Sequence, residues 1–233
     1  MSMQSVLKSH FQFEIKSETN AQADVYVLGS LAATVRKNQY GKIIEQTALE
    51  RQKKKWIQTD KRVINYSGLD TVNWILQNKT ISKGQHHGLL DESLYGWFRD
   101  QAGTVLTQIN AQGLDSARFL FHDCSAEVVR AVVIGLELSA YNFLNTYTDR
   151  KTTPLKIYFQ FSGKNKINKN LISSYQNEAF SVQIARHLVN LPPNDLTPDG
   201  FEKIILKDLK FPKTMKIAVW DHKKLAQENM NLH

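Results

Sequence analysis

Three groups of residues in this 233-residue chain have types and spacing that chemistry could use. His122-Asp123-Cys124 lies where an apolar strand pattern ends and a helix pattern opened by Ser125 begins. Folds that alternate strands and helices place nucleophiles there, and a helix N-terminus lowers a thiol pKa. A hydrolase would also need a base aimed at the sulfur, and chain neighbours rarely point at one another. The competing reading is a buried, inert cysteine beneath a helix start. His86-His87, flanked by Gly84 and Gly88, has the donor type for a metal but lacks a third and fourth ligand nearby, so a solvated loop accounts for it.

The third group is basic. Arg51, Lys53, Lys54 and Lys55 precede Trp56, and Lys151, Lys156, Lys164, Lys166 and Lys169 follow later. Such cations can track a phosphate backbone. No recognition-helix, zinc-finger or RNA-binding strand signature accompanies them, and a solvated helix face is the competing reading. No His-Glu-x-x-His, phosphate-binding loop or dinucleotide fingerprint occurs either.

The elements that would position these groups follow from pattern. His10 to Ile15 and Asp24 to Gly29 read as strands that either pair as a hairpin or sit apart in one sheet. Ile43 to Ile57 favours one helix. Arg62 to Tyr66 and Val72 to Leu76 are short strands, and Asn78 to Gly88 is a surface loop. Asp91 opens a helix with Trp97, Phe98, Ala102, Val105, Leu106 and Ile109 on one face, which Gly113 ends. Ala117 to Phe121 is a strand, the helix capped by Ser125 repeats apolar residues every three and four positions, and Leu155 to Phe161 is a strand. Lys164 to Asn170 forms a solvated loop before a long helix. This alternation predicts an α/β domain with helices covering both faces of a sheet.

Composition sets the bounds. Hydrophobic content of 42% and charged content of 22% are those of a globular protein with a proper core, and 233 residues suffice for one large or two small domains. The single cysteine, Cys124, forms no internal disulfide and fits a reducing compartment. Met1 to Phe13 has no apolar run of signal-peptide length, and no stretch is long enough for a membrane span, which places the chain in the cytoplasm. The net charge of +8 permits an acidic partner or nucleic acid, but charge balance speaks to association rather than to fold.

A joint follows the long helix. Ser181 to Val189 has helical spacing and must stop before Pro192-Pro193, because proline disfavours helical geometry in the residue before it. Thr197-Pro198-Asp199 reads as the next helix start: a hydroxyl cap, proline at the first position, a carboxylate near the positive end of the dipole. The wording Arg186-x-Leu188-x-Asn190-x-Pro192-Pro193-Asn194-x-Leu196-Thr197-Pro198 resembles the segment opening the catalytic domain of the leucyl aminopeptidase family, cytosolic metal-dependent exopeptidases. Gly135-Leu136-Glu137-Leu138-x-Ala140-Tyr141-x-Phe143 with Tyr147, and Met215 to Trp220 with Leu225 and Glu228 to His233, are similar to that family in the same order.

The resemblance implies three parts: residues 1–165 as a macro-domain-like α/β domain with a mixed sheet between helices, 166–196 as linker helix and proline elbow, and 197–233 as the first strand and helix of a catalytic domain. It also implies a parent enzyme that releases N-terminal residues from peptides with two divalent metals, zinc or manganese, and assembles as a hexamer. The family's carboxylate and lysine ligands lie beyond the first strand and helix of the catalytic domain, so no catalytic or metal-binding position transfers to this chain. The role implied for it is assembly and control of access to the catalytic cavity, with a basic nucleic-acid- or nucleotide-binding module as the alternative. In that setting Met215 to Trp220 is an orphan strand, expected to lean on the N-terminal domain or to pair with another copy.

Overall fold

The computed structural model describes residues 11–15, 20–29, 33–58, 61–77, 94–141, 155–162, 167–209, 211 and 213–230. Along them run β1 (Phe11–Ile15), β2 (Ala23–Leu28), α1 (Ala33–Thr47), α2 (Glu50–Ile57), β3 (Val63–Ser67), β4 (Val72–Gln77) and α3 (Leu94–Ala111). Then come β5 (Ser116–His122), α4 (Ala126–Ala140), β6 (Leu155–Ser162), α5 (Lys169–Asn190), α6 (Pro198–Lys203), a π-helical stretch Ile204–Asp208, and α7 (His222–Gln227). The chain divides into two compact units, one of residues 9–183 and another that holds residues 184–233.

In the first unit six strands form one sheet in the order β1-β6-β5-β2-β4-β3, with only the β3–β4 pair antiparallel. This is the mixed sheet that the family resemblance implies, in the α/β domain that the alternation predicts. Successive strand residues point to opposite faces, and the two faces collect different residues. Ala23, Val25 and Val27 of β2, Ala117, Phe119 and Phe121 of β5, and Leu155, Ile157 and Phe159 of β6 are buried with the apolar faces of α3 and α4 and with Ile172, Tyr175 and Ala179 of α5. Tyr26 and Leu28 of β2, Ile64 and Tyr66 of β3 and Ile75 of β4 are buried with Tyr40, Ile43 and Ile44 of α1. Helices therefore cover both faces.

Helix ends follow local chemistry. Ser125 caps α4 by accepting from Val128 N at 3.3 Å, and Gly113, at φ +67°, takes the left-handed conformation after α3 that a side chain would resist. A Cβ on Gly135 of α4 would lie 2.1 Å from the Arg99 carbonyl oxygen of α3, so these two helices pack backbone against backbone at that point.

One expectation changes in this unit. Ile43 to Ile57 is not one helix: the chain leaves helical geometry at Leu49, with ψ 139°, because Ala48 bridges to Gly68 and Leu69 N donates to Thr47 O at 3.1 Å. That sheet contact competes with the helical ladder and wins. Of the two arrangements open to β1 and β2, they sit apart in one sheet: β1 is an edge strand parallel to β6, and β2 lies inside the sheet between β5 and β4.

In the second unit Leu191 N closes the end of α5 on His187 O at 3.1 Å, and Asp195 N and Leu196 N turn back on Pro192 O at 2.9 and 3.0 Å. Thr197 caps α6 through Gly200 N at 3.1 Å with Pro198 at the first turn, as the sequence predicts. Met215–Trp220 is not a strand. No sheet pairing forms there among the described residues, and Met215, Ile217, Val219 and Trp220 are all exposed. Alternation supplies strand propensity, but a strand also needs a neighbour to take its backbone hydrogen bonds. His86-His87, Asp91, Phe143, Tyr147, Lys151, Lys164 and Lys166 lie outside the described residues.

Candidate functional site

Register between neighbouring strands builds the best-formed polar site. Asp24 of β2 and Arg118 of β5 are direct partners across the parallel pair. Arg118 Nε donates to Asp24 Oδ1 at 2.9 Å and Nη2 to Oδ2 at 2.7 Å, the two-pronged geometry that suits guanidinium and carboxylate. Tyr26, two residues along the same face, reaches Asp24 Oδ2 with its hydroxyl at 3.5 Å. Burial, reinforced by the Asp24 charge, pushes the Tyr26 phenol well above its ordinary range, so it stays protonated as a donor.

Above this pair lies a cavity of about 610 Å³, lined by Asp24, Tyr26, Thr47, Asp70, Thr71 and Arg118 among others. Its far wall is ordered too: Thr47 Oγ1 donates to Ile43 O at 2.7 Å and so accepts from the Tyr66 hydroxyl at 2.6 Å. The cavity sits near the starts of β2 and β5, whereas parallel sheets bear their reactive groups at the strand carboxyl ends. Asp24 offsets the Arg118 charge, and the described residues facing the space bring the Asp70 carboxylate and the hydroxyls of Tyr26, Thr47 and Thr71. The arrangement is a polar recess with a buried ion pair at its base. Sequence reading missed it because Asp24 and Arg118 are 94 residues apart and only the β2–β5 register joins them.

At the opposite edge, His122-Asp123-Cys124 ends β5 as expected, but the thiol is not activated. Cys124 is 4% exposed, and its Sγ, with one proton to donate, lies 3.3 Å from Val27 O and 3.5 Å from His122 O. Burial pushes its pKa up to about 12. A Cβ on Gly29 would come within 2.7 Å of this sulfur, so the end of β2 is pressed directly against it. Desolvation outweighs any help from the helix start, which bears out the reading of a buried, inert cysteine.

Of the basic group, Arg51, Lys54 and Lys55 are exposed on the two-turn helix α2. Lys53 pairs with Glu50 one turn back, and Lys55 Nζ lies 4.8 Å over the Trp56 ring. Lys156 and Lys169 are exposed on β6 and at the start of α5.

Among the described residues no group of three or more His, Cys, Asp or Glu side chains could hold a metal ion. A dinuclear centre needs several convergent carboxylates, so the described residues do not fit one. No described helix is long and apolar enough to cross a membrane.

No protein-family model matches the chain. In sequence it is similar to a probable cytosol aminopeptidase of Tropheryma whipplei, 27% identical over 132 residues. That match takes in 55% of this chain and 26% of the relative, so the chain spans well under two thirds of the protein it matches. Its fold is similar to part of solved leucine aminopeptidases. A mutant of tomato leucine aminopeptidase superposes with a TM-score of 0.53 at 10% identity, over 83% of this chain and 40% of that one. An aminopeptidase of Trypanosoma brucei does so at 0.52 and 14%, over 87% and 41%. The six-stranded, mostly parallel sheet with its helices matches the N-terminal domain of these neighbours.

Proposed function

We propose that this chain is the non-catalytic N-terminal domain of a leucyl-aminopeptidase-like metallo-exopeptidase, followed by the linker and the start of its catalytic domain. The observation that carries the reading is the 132-residue sequence similarity to a probable cytosol aminopeptidase. The mixed sheet shared with leucine aminopeptidases supports it. In this reading the whole protein works in the cytoplasm, releases N-terminal residues from peptides and uses two divalent metals, zinc or manganese. The domain's own work is assembly, into a hexamer in the parent, and control of access to the catalytic cavity. Its macro-like sheet serves as the rigid body that carries those contacts.

Sedimentation of the purified chain over a concentration series tests the assembly role. A mass rising in steps toward a closed ring supports it; a monomer at every concentration contradicts it.

The exposed Arg51, Lys54 and Lys55 on α2, with Lys53 beside them, favour a second reading as a basic nucleic-acid- or nucleotide-binding module. Phosphate-driven affinity falls steeply with salt. Mobility shift with DNA at rising salt separates the two readings: a salt-sensitive complex that is lost when these four cations are replaced by glutamine supports the second, and no complex at low salt rejects it.

A further inference from the structure

The carboxyl ends of β2 and β5 form a place where the chain parts company with itself. From β2 it continues to α1, whose Tyr40, Ile43 and Ile44 pack on one face of the sheet; from β5 it continues to α4, whose Val128, Val129 and Val132 pack on the other. Where two adjacent parallel strands send their connections to opposite faces, a crevice opens beyond the strand ends, and α/β proteins bind ligands there.

Hydrogen-bond accounting at this crevice leaves an imbalance. Ser162 Oγ, at the end of β6, donates its single proton to Phe121 O at 3.2 Å, so it meets His122 Nδ1 at 2.9 Å as an acceptor. His122 therefore carries its proton on Nδ1, and Nε2 presents a bare lone pair that is buried with no partner. Gln39 of α1 donates through Nε2 to Asp123 Oδ2 at 3.0 Å, which directs its Oε1 away as a second buried acceptor with no partner. Gln160 Oε1 is a third. Gln160 stands opposite Leu120 in the β5–β6 register, on the same face as His122 and one diagonal step from it. Burial lowers the His122 pKa, which keeps the ring neutral and Nε2 an acceptor near neutral pH.

Three buried acceptors and the exposed Asp123 carboxylate thus share one edge of one sheet face. Orphaned buried acceptors are costly, and those that persist in folded proteins mark a missing partner. We infer that the crevice at His122, Asp123, Gln39 and Gln160 is a binding site for a small primary ammonium ion. Such a guest brings three N–H donors for the three acceptors and a positive charge for Asp123. A neutral donor would answer the lone pairs but not the carboxylate, and an anion would meet only repulsion.

Ring-nitrogen NMR of the full chain, near neutral pH, tests this with methylammonium as probe and tetramethylammonium as the control that has the charge but no N–H. The expected result is a saturable shift of the unprotonated His122 Nε2 with methylammonium, no shift with tetramethylammonium, and binding weakened about tenfold in Gln39→Leu, the loss of one hydrogen bond. Gln160→Leu replaces that variant if its amide spectrum shows it unfolded. A response to both ions, a response to neither (water alone filling the crevice), or an Nε2 already protonated in the free protein overturns the proposal.

Discussion

Asp24 and Arg118 face each other across parallel strands with their side chains 5% and 23% exposed, joined by two hydrogen bonds. Removing only the cation, as in Arg118→Met, leaves a carboxylate in the sheet interior with nothing to balance it, a change that costs about 3–5 kcal/mol in comparable buried pairs. Partial exposure of Arg118 puts the expected loss at the lower end. The double variant Asp24→Leu/Arg118→Met recovers part of that loss, because no charge is left stranded. Urea unfolding of the three proteins checks the order: wild type most stable, double variant next, single variant least.

Gly135→Ala drives a methyl group into the Arg99 carbonyl oxygen, 2.1 Å away, where the obstacle is backbone rather than a side chain that can swing aside. Alanine's better helix propensity offers at most about 1 kcal/mol in return. The net expectation is a destabilisation of about 1–3 kcal/mol, the usual range for an overpacked core. A thermal midpoint equal to or above that of the parent would contradict the close approach of α3 and α4.

His122 gives a pH signature with a definite sign. Burial lowers its folded pKa below the ordinary value of 6.5, so the unfolded chain binds the extra proton first as pH falls. Its stability contribution is complete above about 6.5 and is lost as pH drops through the lowered folded value. His122→Phe should therefore show a shallower decline in unfolding free energy between neutral and mildly acid pH, by up to about 1.4 kcal/mol per pH unit. Parallel slopes for the two proteins would mean that the ring titrates alike in both states.

Much of this architecture is legible in the sequence because burial and period coincide. Phe119 and Phe121 alternate with Arg118, Leu120 and His122, and that alternation alone marks β5 and its two faces. Thr197-Pro198 marks the start of α6 for an equally local reason. What is not legible depends on partners far along the chain. The break between α1 and α2 is set by Gly68, twenty residues beyond Ala48. The Asp24–Arg118 pair exists only once β2 and β5 adjoin, and the hydrogen-bond imbalance at His122 only once Gln39 and Ser162 arrive from other elements. The place of Cys124 at a helix start fits both an activated thiol and a buried, inert one, and the close approach of Gly29 from the end of β2 accompanies the desolvation that favours the second.

Met215–Trp220 offers a test of that distinction between propensity and pairing. With no sheet neighbour among the described residues, its amides should exchange in dilute solution far faster than those of β6, whose Ile157 and Phe159 pair on both sides. Protection equal to that of β6 would show that the segment finds a partner.

The most direct test of the functional reading is turnover. The purified chain, freed of contaminating proteases and supplied with manganese or zinc, is assayed against leucyl amides. A chain that acts as a non-catalytic assembly domain releases no amine above the metal-only blank. Metal-dependent release that scales with protein concentration would contradict it.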